Sequence, residues 1–443
     1  MPPMQDDKGK VIVVCDDMYG AGNFLARLLR ARGYSVVRLL GEGEGEGEGE
    51  GEGDYPVYLA SLSLNTALAY GDALQGVMDE LARLPYPVAA VVAGAEIGVG
   101  LADALSERMV ASGLDVATNG TRLSEARRDK FLMAEAVRGA GLRVAEHRRA
   151  ETWADVSAFL EEWQPPQFKV VVKPLNSAGS DGVHLCSSVD EAFAAYGSIV
   201  GKTNSLGLVN VACLVQEHLE GQEYVIDAVS LDGEHKIVAI WTYDAARFGI
   251  NCGQRLLSAD EPRCRELIDY QRRVLDALGI WHGATHAELR WCRGEPVQVE
   301  VGARCHGGSG LWAVVCDEVY GYNQAQVAMD AYLDRGAFAA IPDEPRTRAH
   351  GGLKWFASRK AGVLREHRAA DVAAMLSLPS YRGHRFMVQP GQWLRRTVNC
   401  FTWAGCVQLA GVSAGQLEKD FAVVERLETT LFVLEVEEVD EIT

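Results

Sequence analysis

The sequence predicts a multidomain protein in which an α/β domain is followed by α+β domains rich in antiparallel sheet. Three observations support this fold class. The chain has 443 residues, too many for one core of usual size. Its first 115 residues alternate strand and helix patterns, whereas residues 200–310 contain a series of strands with few helices between them.

The N-terminal region contains two βα units. From Lys10, the segment KVIVVCDDMYGAGNFLARLLRARGYSVVRLL predicts strand, turn, amphipathic helix and strand. The strand VAAVVAG at 88–94 and the helical pattern after it repeat the arrangement. Residues 1–119 are therefore predicted to form a Rossmann-like domain. Its loop MYGAG departs from GxGxxG, which favours a substrate-lining or structural role over dinucleotide binding.

A second domain is predicted over residues 120–345 and a third over residues 346–443. A helix is expected from about 122 to 138, in RLSEARRDKFLMAEAVRGAGL. Antiparallel strands are predicted in VACLVQEHL, EYVIDAVSL, KIVAIWTYD, ATHAELRWC and PVQVEVGAR. Strand patterns return after residue 350 and end at the helix AGQLEKDFAVVERLETT. This last part is predicted to be a β-rich subdomain that completes the catalytic unit.

Composition excludes several classes of protein. A net charge of −18 argues against nucleic-acid and anionic-membrane partners, and no apolar run is long enough to cross a bilayer. The N-terminal residues lack the pattern of a secretory signal, so a cytoplasmic location is expected. Ten cysteines without zinc-site spacing predict reduced, mostly buried thiols.

A repeat of glycine and glutamate, GEGEGEGEGEGEGD, occupies residues 41–54. It supplies six Glu and one Asp to the negative charge. Alternating Gly and Glu offers no apolar face and has high backbone entropy, so a disordered surface loop is predicted there.

The stretch VVVKPLNSAGSDGV suggests a phosphate site. Lys173 at the end of a buried strand places one cation beside a ligand, and the following loop of Gly and Ser offers backbone N–H groups. The pattern is not the GxxxxGK[ST] of a P-loop. A surface lysine before an ordinary loop is the alternative.

A second stretch, VQEHLEGQEYVID, joins two strands by a short open link. Unpaired backbone groups there could bind the edge of an adenine, and Glu223 could accept hydrogen bonds from ribose hydroxyls. A hairpin with solvated acids is the alternative.

The strongest pattern is the hairpin GATHAELRWCRGEPVQVEVGAR at 283–304. His286 and Glu288 share one face of its first strand, and Gln298 and Glu300 are predicted to share one face of its second. If the loop is residues 293–295, Glu288 lies directly across from Glu300. Two carboxylates roughly 5 Å apart would repel by about 3 kcal/mol at an effective dielectric near 20.

A positive charge is therefore expected between these two acids. Carboxylate oxygens in this arrangement suit Mg²⁺, with Mn²⁺ as a substitute. Arg304, just beyond the second strand, adds a cation near the same place. A structural ion-pair network among these acids, Arg290 and Arg304 is the alternative.

In this order and spacing, the motifs resemble the ATP-grasp superfamily over residues 120–310. GATHAELR followed by VEVGAR and a glycine pair is similar to carboxylate–amine ligases related to bacterial L-amino-acid ligases. The resemblance implies ATP and Mg²⁺ as cofactors and a role for each matching position. Lys130 and Lys173 would contact the phosphates beneath the loop of Ser177, Gly179 and Ser180. Glu217 and Leu219 would form the adenine hinge, and Glu223 would bind ribose. Glu288 and Glu300 would hold the metal, and Arg304 would stabilise the acyl-phosphate and the tetrahedral intermediate.

One position departs from the family pattern. Many members carry Asn as a further metal ligand two residues after the second glutamate, where this chain has Gly302. Nearby, the segment HGGSGLW offers His306, Gly307, Gly308 and Trp312 as candidates for the substrate pocket, with packing roles as the alternative.

The resemblance implies a ligase that forms an amide between a carboxylate, an amino acid as first choice, and an amine. The reaction would pass through an acyl-phosphate and release ADP and phosphate, with loop 176–182 as a lid. Two alternatives are a ligase for a non-amino carboxylic acid in specialised metabolism and a nucleotide-binding regulator without turnover. The expected partners are small-molecule substrates, and a homodimer is compatible with the resemblance.

Deleting residues 42–53 should leave activity nearly intact, because a loop of Gly and Glu makes few native contacts. The measurement is the turnover rate of the shortened and full-length chains, with thermal melting as a check on folding. A large loss of activity in a folded variant would show that the repeat has a role.

Overall fold

The computed structural model describes residues 9–15, 20–40, 57–59, 71–244 and 250–435. The Gly/Glu repeat at 41–54 and the first two residues of the MYGAG loop, Met18 and Tyr19, lie outside the described residues. Among the residues it does describe, no helix has the length and apolar character needed to span a membrane.

The N-terminal domain is a parallel four-stranded sheet with helices, as the βα patterns predicted. Its elements are β1 (Val11–Cys15), α1 (Gly22–Ala31), β2 (Ser35–Leu40), β3 (Val57–Leu59), α2 (Gly71–Leu81), β4 (Val88–Ala93) and α3 (Val99–Ala111). The strand order is β3-β2-β1-β4, and each neighbouring pair is parallel. Because β1 is central, all five of its residues are buried.

A small antiparallel sheet with its helices follows. The elements of this part are α4 (Lys130–Gly139), β5 (His147–Ala150), α5 (Trp153–Trp163), β6 (Val170–Pro174), β7 (His184–Cys186), α6 (Val189–Ile199) and β8 (Cys213–Glu217). The strand order in the sheet is β5-β8-β6-β7. The predicted helix over 122–138 begins later than expected. Asp129 accepts hydrogen bonds from the backbone N–H groups of Phe131 and Leu132, and this N-cap starts the helix at Lys130.

An eight-stranded antiparallel sheet forms the centre of the molecule. Its strands are β9 (Glu223–Leu231), β10 (Glu234–Tyr243), β11 (Gly253–Leu256), β12 (Gly283–Cys292), β13 (Glu295–Gly302), β14 (His350–Phe356), β16 (Tyr381–Phe386) and β18 (Gly405–Gly411). Their order is β13-β12-β9-β10-β11-β14-β18-β16, so the sheet continues past the predicted boundary at residue 345. The domain boundaries themselves stay predictions.

The remaining elements cover this sheet. They are α7 (Cys264–Ala277), α8 (Ala313–Val319), α9 (Gln324–Leu333), α10 (Arg335–Ala340), β15 (Gly362–His367), α11 (Ala369–Leu376), β17 (Trp393–Leu394), α12 (Ala414–Leu431) and β19 (Phe432–Leu434). Strands β17, β15 and β19 form a small separate sheet. Nine of the ten cysteines are buried and Cys400 is partly exposed, which agrees with the prediction of mostly buried thiols.

A buried arginine joins the N-terminal domain to the central sheet. Arg127 is 1% exposed and its guanidinium donates to Asp103 Oδ2 of α3 at 2.7 Å. It also donates to the backbone carbonyls of Asn119, Gly120, Leu278 and Gly279. Because these partners come from three separate stretches of chain, one side chain fixes how they meet.

Arg127→Met should lower the free energy of unfolding by about 3–5 kcal/mol, because it leaves the Asp103 carboxylate buried without its partner. Urea denaturation followed by fluorescence measures the change. Arg335→Met is the matched control, since Arg335 pairs with Asp232 on the surface and its loss should shift the midpoint little. If the two variants were equally stable, the junction would not depend on Arg127.

Candidate active site

The acid pair lies on the hairpin of β12 and β13. Glu288 pairs directly with Glu300, as predicted, but not through a three-residue loop. Cys292 pairs with Glu295, so the turn contains only Arg293 and Gly294, both with positive φ as a tight hairpin turn requires.

A β-bulge restores the predicted pairing. The register shifts between Glu288 and Leu289, because Leu289 pairs with Gln298 and leaves Val299 as the extra residue. The bulge also places Val299, rather than Gln298, beside Glu300 in the lining of a cavity. Gln298 is instead buried, and its backbone N–H donates to Tyr270 Oη at 3.0 Å. The prediction that Gln298 shares a face with Glu300 is therefore wrong.

Two lysines compensate the negative charge of the acid pair. Lys130 Nζ lies 2.8 Å from Glu300 Oε2 and donates to the backbone carbonyl of Ser177 at 2.6 Å. Burial alone would lower the pKa of Lys130, but the Glu300 carboxylate reverses the shift and raises it. Burial would likewise raise the pKa of Glu300, but Lys130 and Lys173 together hold it below its ordinary value.

The charges of Glu288 and Lys173 are less completely compensated than those of Glu300 and Lys130. Burial, followed by the charges of Glu300 and Glu223, raises the pKa of Glu288. Burial lowers the pKa of Lys173 to about 8. A divalent cation fits this arrangement, since Glu288 and Glu300 offer hard oxygen ligands and a bound cation would favour the charged form of Glu288.

A cavity of about 340 Å³ is lined by both acids, and we name it the lysine cavity. It brings together all the residues predicted to bind the nucleotide. Its lining includes Lys130, Lys173, Ser177, Gly179, Ser180, Glu217, Leu219, Glu223, Glu288 and Glu300. Their individual roles stay predictions.

Several of these side chains are held by neighbouring arginines. Glu223 Oε2 accepts from Arg290 at 2.5 Å, and Arg290 also donates to the carbonyl of Leu219 at 3.2 Å. The Glu217 carboxylate lies 3.0 Å from Arg293 and 3.4 Å from Arg143. The link between β8 and β9 is therefore tied to the hairpin beside it.

Hydrogen bonds hold the glycine-rich loop 176–182 near both of its ends, and its tip contacts the C-terminal region. Asp181 accepts from Ser177 Oγ at 3.0 Å and from the Ser205 N–H at 2.8 Å. The Cys400 N–H donates to the Gly179 carbonyl at 3.1 Å. A Cβ at Gly179 would lie 2.2 Å from Cys400 Sγ, so only glycine fits this approach.

A second cavity, of about 190 Å³, is also lined by the acid pair, and we name it the arginine cavity. Arg304, His306, Gly307 and Gly308 line it together with both acids. Gly20 of the MYGAG loop also lines it. Aromatic side chains form another wall, and these are Tyr243, Trp355, Phe401 and Trp403.

Glu96 of the N-terminal domain explains the glycine at position 302. Its Oε2 lies 3.1 Å from Arg304 Nε. A Cβ at Gly302 would lie 2.8 Å from the same Glu96 oxygen and 2.9 Å from Arg304 Cζ. A side chain at position 302 would therefore displace the ion pair that holds the guanidinium.

Trp312 does not line the arginine cavity, which corrects the prediction for this residue. It is 1% exposed in the hydrophobic core, and its indole N–H donates to the carbonyls of His306 and Gly307 at 3.0 and 2.8 Å. Trp312 thus supports the backbone of this loop from the hydrophobic core.

Sequence analysis missed Asp227, which is buried in the middle of β9. It lies 2.9 Å from both His286 Nδ1 and His306 Nδ1, and it accepts from Trp241 Nε1 at 2.8 Å. Burial would raise the pKa of Asp227, but the two histidines hold it well below its usual range. Burial lowers the pKa of His286 to about 4. A single acid within the apolar strand EYVIDAVSL was the available signal.

Comparisons with known proteins agree with this geometry. The profile of a family described as ATP-grasp domain matches residues 166–312. Dapdiamide A synthase from Enterobacter agglomerans is 29% identical over 339 residues, which cover 74% of this chain and 75% of that protein. Alanine–anticapsin ligase from Bacillus subtilis (strain 168) is 25% identical over 246 residues, which cover 51% of this chain and 50% of that protein.

The same fold occurs in a solved structure. An L-amino acid ligase from Bacillus licheniformis superposes with a TM-score of 0.74 over 98% of this chain and 100% of that one, at 17% identity. Fold, matched domain and relatives agree with the motifs read from the sequence. Residues 166–312 of this chain thus match an ATP-grasp domain, and the relatives of the chain include proteins named as a synthase and ligases.

Proposed function

We propose that this protein is an ATP-dependent carbon–nitrogen ligase that joins a carboxylate, an amino acid as first choice, to an amine and releases ADP and phosphate. One observation carries the proposal. The acid pair Glu288 and Glu300 lines both the lysine cavity and the arginine cavity, which supports a reaction between a nucleotide phosphate in one and a substrate in the other.

The lysine cavity is the site proposed for ATP. Lys130 and Lys173 would contact the phosphates, Glu217 and Leu219 the adenine, and Glu223 the ribose. Glu288 and Glu300 would hold Mg²⁺ or Mn²⁺, which supplies positive charge to the phosphate oxygens when bound. The lysines contribute the same kind of stabilisation from fixed positions.

The arginine cavity is the site proposed for the carboxylate and the amine. A carboxylate oxygen attacks the γ-phosphate and ADP leaves, which gives an acyl-phosphate. The amine then forms a bond to the acyl carbon, phosphate leaves, and the Arg304 guanidinium stabilises the oxyanion between these events. Loop 176–182 excludes water while the acyl-phosphate exists.

The relatives support an amino acid as one substrate. Alanine–anticapsin ligase and L-arginine-specific L-amino acid ligase are named for amino acids that they join. A non-amino carboxylic acid is the second candidate. A screen of amino acids and other carboxylic acids for ATP-dependent phosphate release separates the two.

The nucleotide product tests the reaction class. With Mg²⁺, ATP and a mixture of the proteinogenic L-amino acids, ADP and phosphate should form, and added hydroxylamine should give a hydroxamate of the activated acid. Glu300→Gln should lower both products by about 10²-fold or more, because it removes a charge that the metal and Lys130 need. Chromatography of the nucleotides and a colour assay for hydroxamate provide the measurements.

Glu295→Gln is the control, since Glu295 lies on the same strand with an exposed side chain. It should retain nearly full activity. Formation of AMP and pyrophosphate would contradict the proposed reaction, because an adenylating enzyme attacks the α-phosphate instead.

Lys173 should make nucleotide affinity depend on pH. Its pKa of about 8 means that the side chain is charged at neutral pH and loses its proton as the pH rises. Phosphates favour the charged form, so the affinity for ADP should fall above about pH 8, by at most about tenfold per pH unit. Calorimetric titration with ADP in the presence of a chelator measures this dependence.

Lys173→Ala should bind ADP weakly at every pH and should have no turnover. Lys169→Ala is the control, because Lys169 precedes the same strand but pairs with Glu220 at the surface. Unchanged affinity and rate in Lys173→Ala would remove this residue from the site.

A further inference from the structure

Two histidines of the arginine cavity share one buried carboxylate. Asp227 Oδ1 lies 2.9 Å from His286 Nδ1, and Oδ2 lies 2.9 Å from His306 Nδ1. Asp227 is only 1% exposed, and Trp241 donates a third hydrogen bond to it. The carboxylate therefore has defined partners on both of its oxygens.

This arrangement determines which nitrogen of each imidazole carries the proton. An ionised carboxylate can only accept hydrogen bonds, so each Nδ1 must be the donor. In a neutral imidazole, Nε2 is then left with a lone pair. The hydrogen bonds to Asp227 thus leave each histidine with a proton-accepting Nε2.

The two histidines differ in what surrounds them. His286 Nε2 lies 3.9 Å from Glu288 Oε1 and is directed toward the acid pair. His306 follows Arg304 by two residues and lies in the same cavity lining. Its ring packs near Trp241 and Trp312, with centroid distances of 5.6 and 5.8 Å, and its backbone N–H donates to Gln324. The orientation of His306 is therefore held by packing as well as by Asp227.

We propose that His306 is a catalytic base, which takes at Nε2 a proton from the ammonium group of the incoming substrate, and that Asp227 is the residue that positions it. This inference rests on the proposed ligase function. Loss of this proton frees the amine lone pair, which forms the C–N bond while the carbonyl electron pair moves to oxygen beside Arg304. The returning electron pair then expels phosphate, which takes the second proton from the nitrogen, and His306 releases the first proton to water.

A metal site is the competing use of the same residues. Asp227, His286 and His306 offer ligand atoms that all lie within 4.8 Å of one another. Two features favour the hydrogen-bonded arrangement. Both N–O distances of 2.9 Å are ordinary hydrogen-bond lengths, and Trp241 occupies a further position on Asp227.

Hydroxylamine provides a sharp test, because it is largely unprotonated at neutral pH and does not need the base that an amino acid's ammonium group needs. His306→Gln should lose dipeptide formation from the L-amino acid mixture by about 10²–10⁴-fold. The same variant should keep hydroxamate formation within a few fold of the wild type. His350→Gln, at an exposed histidine that begins β14, is the control and should change neither reaction.

Nitrogen-15 NMR of the histidines tests the role of Asp227 without substrate. His306 should show a proton on Nδ1 in the wild type, and Asp227→Asn should change that pattern and lower dipeptide formation more than hydroxamate formation. Asp276→Asn is the matched control, because Asp276 pairs with His235 far from the cavity lining.

Several outcomes would overturn the inference while leaving the ligase intact. They are dipeptide formation at the wild-type rate in His306→Gln, equal loss of both products, a proton on Nε2 of His306, and a stoichiometric transition metal bound to Asp227 and the two histidines by elemental analysis. Absence of ADP and hydroxamate in the wild type would instead overturn the proposed function, and this inference with it.

Discussion

Two carboxylates held across one hairpin are the constraint around which the site is built. Glu288 and Glu300 face each other in a partly buried position, where repulsion is weakly screened. Lys130 reaches Glu300 from the start of α4, and Lys173 adds its charge from the end of β6. The four side chains come from four separate segments, so the fold must bring cations to these acids before any ligand binds.

The same acids line both cavities. Residues of the small antiparallel sheet, the eight-stranded sheet and the loop 176–182 line the lysine cavity. The arginine cavity also receives Glu96 from the N-terminal domain and Trp355, Phe401 and Trp403 from the C-terminal region. All three parts of the chain thus meet around the arginine cavity, whereas the lysine cavity is lined mainly by the central part.

Buried residues organise the polar interior of the arginine cavity. Asp227 lies on β9, between the strands that carry Trp241 and His286, and it reaches His306 in the loop after β13. Trp312 holds the same loop from the core. Buried polar groups with complete hydrogen bonding are rigid, which keeps the orientation of the imidazoles constant.

The sequence alone determined the features that depend on local pattern. Strand and helix periodicity predicted the sheets, and the hairpin at 283–304 predicted that Glu288 faces Glu300. Only the tertiary structure decided that a two-residue turn and a bulge at Val299 produce this pairing, because both alternatives give the same register at Glu288. The Glu96–Arg304 ion pair and the three partners of Asp227 join residues far apart in the chain. Such contacts arise from how whole elements pack, and no local spacing in the sequence encodes them.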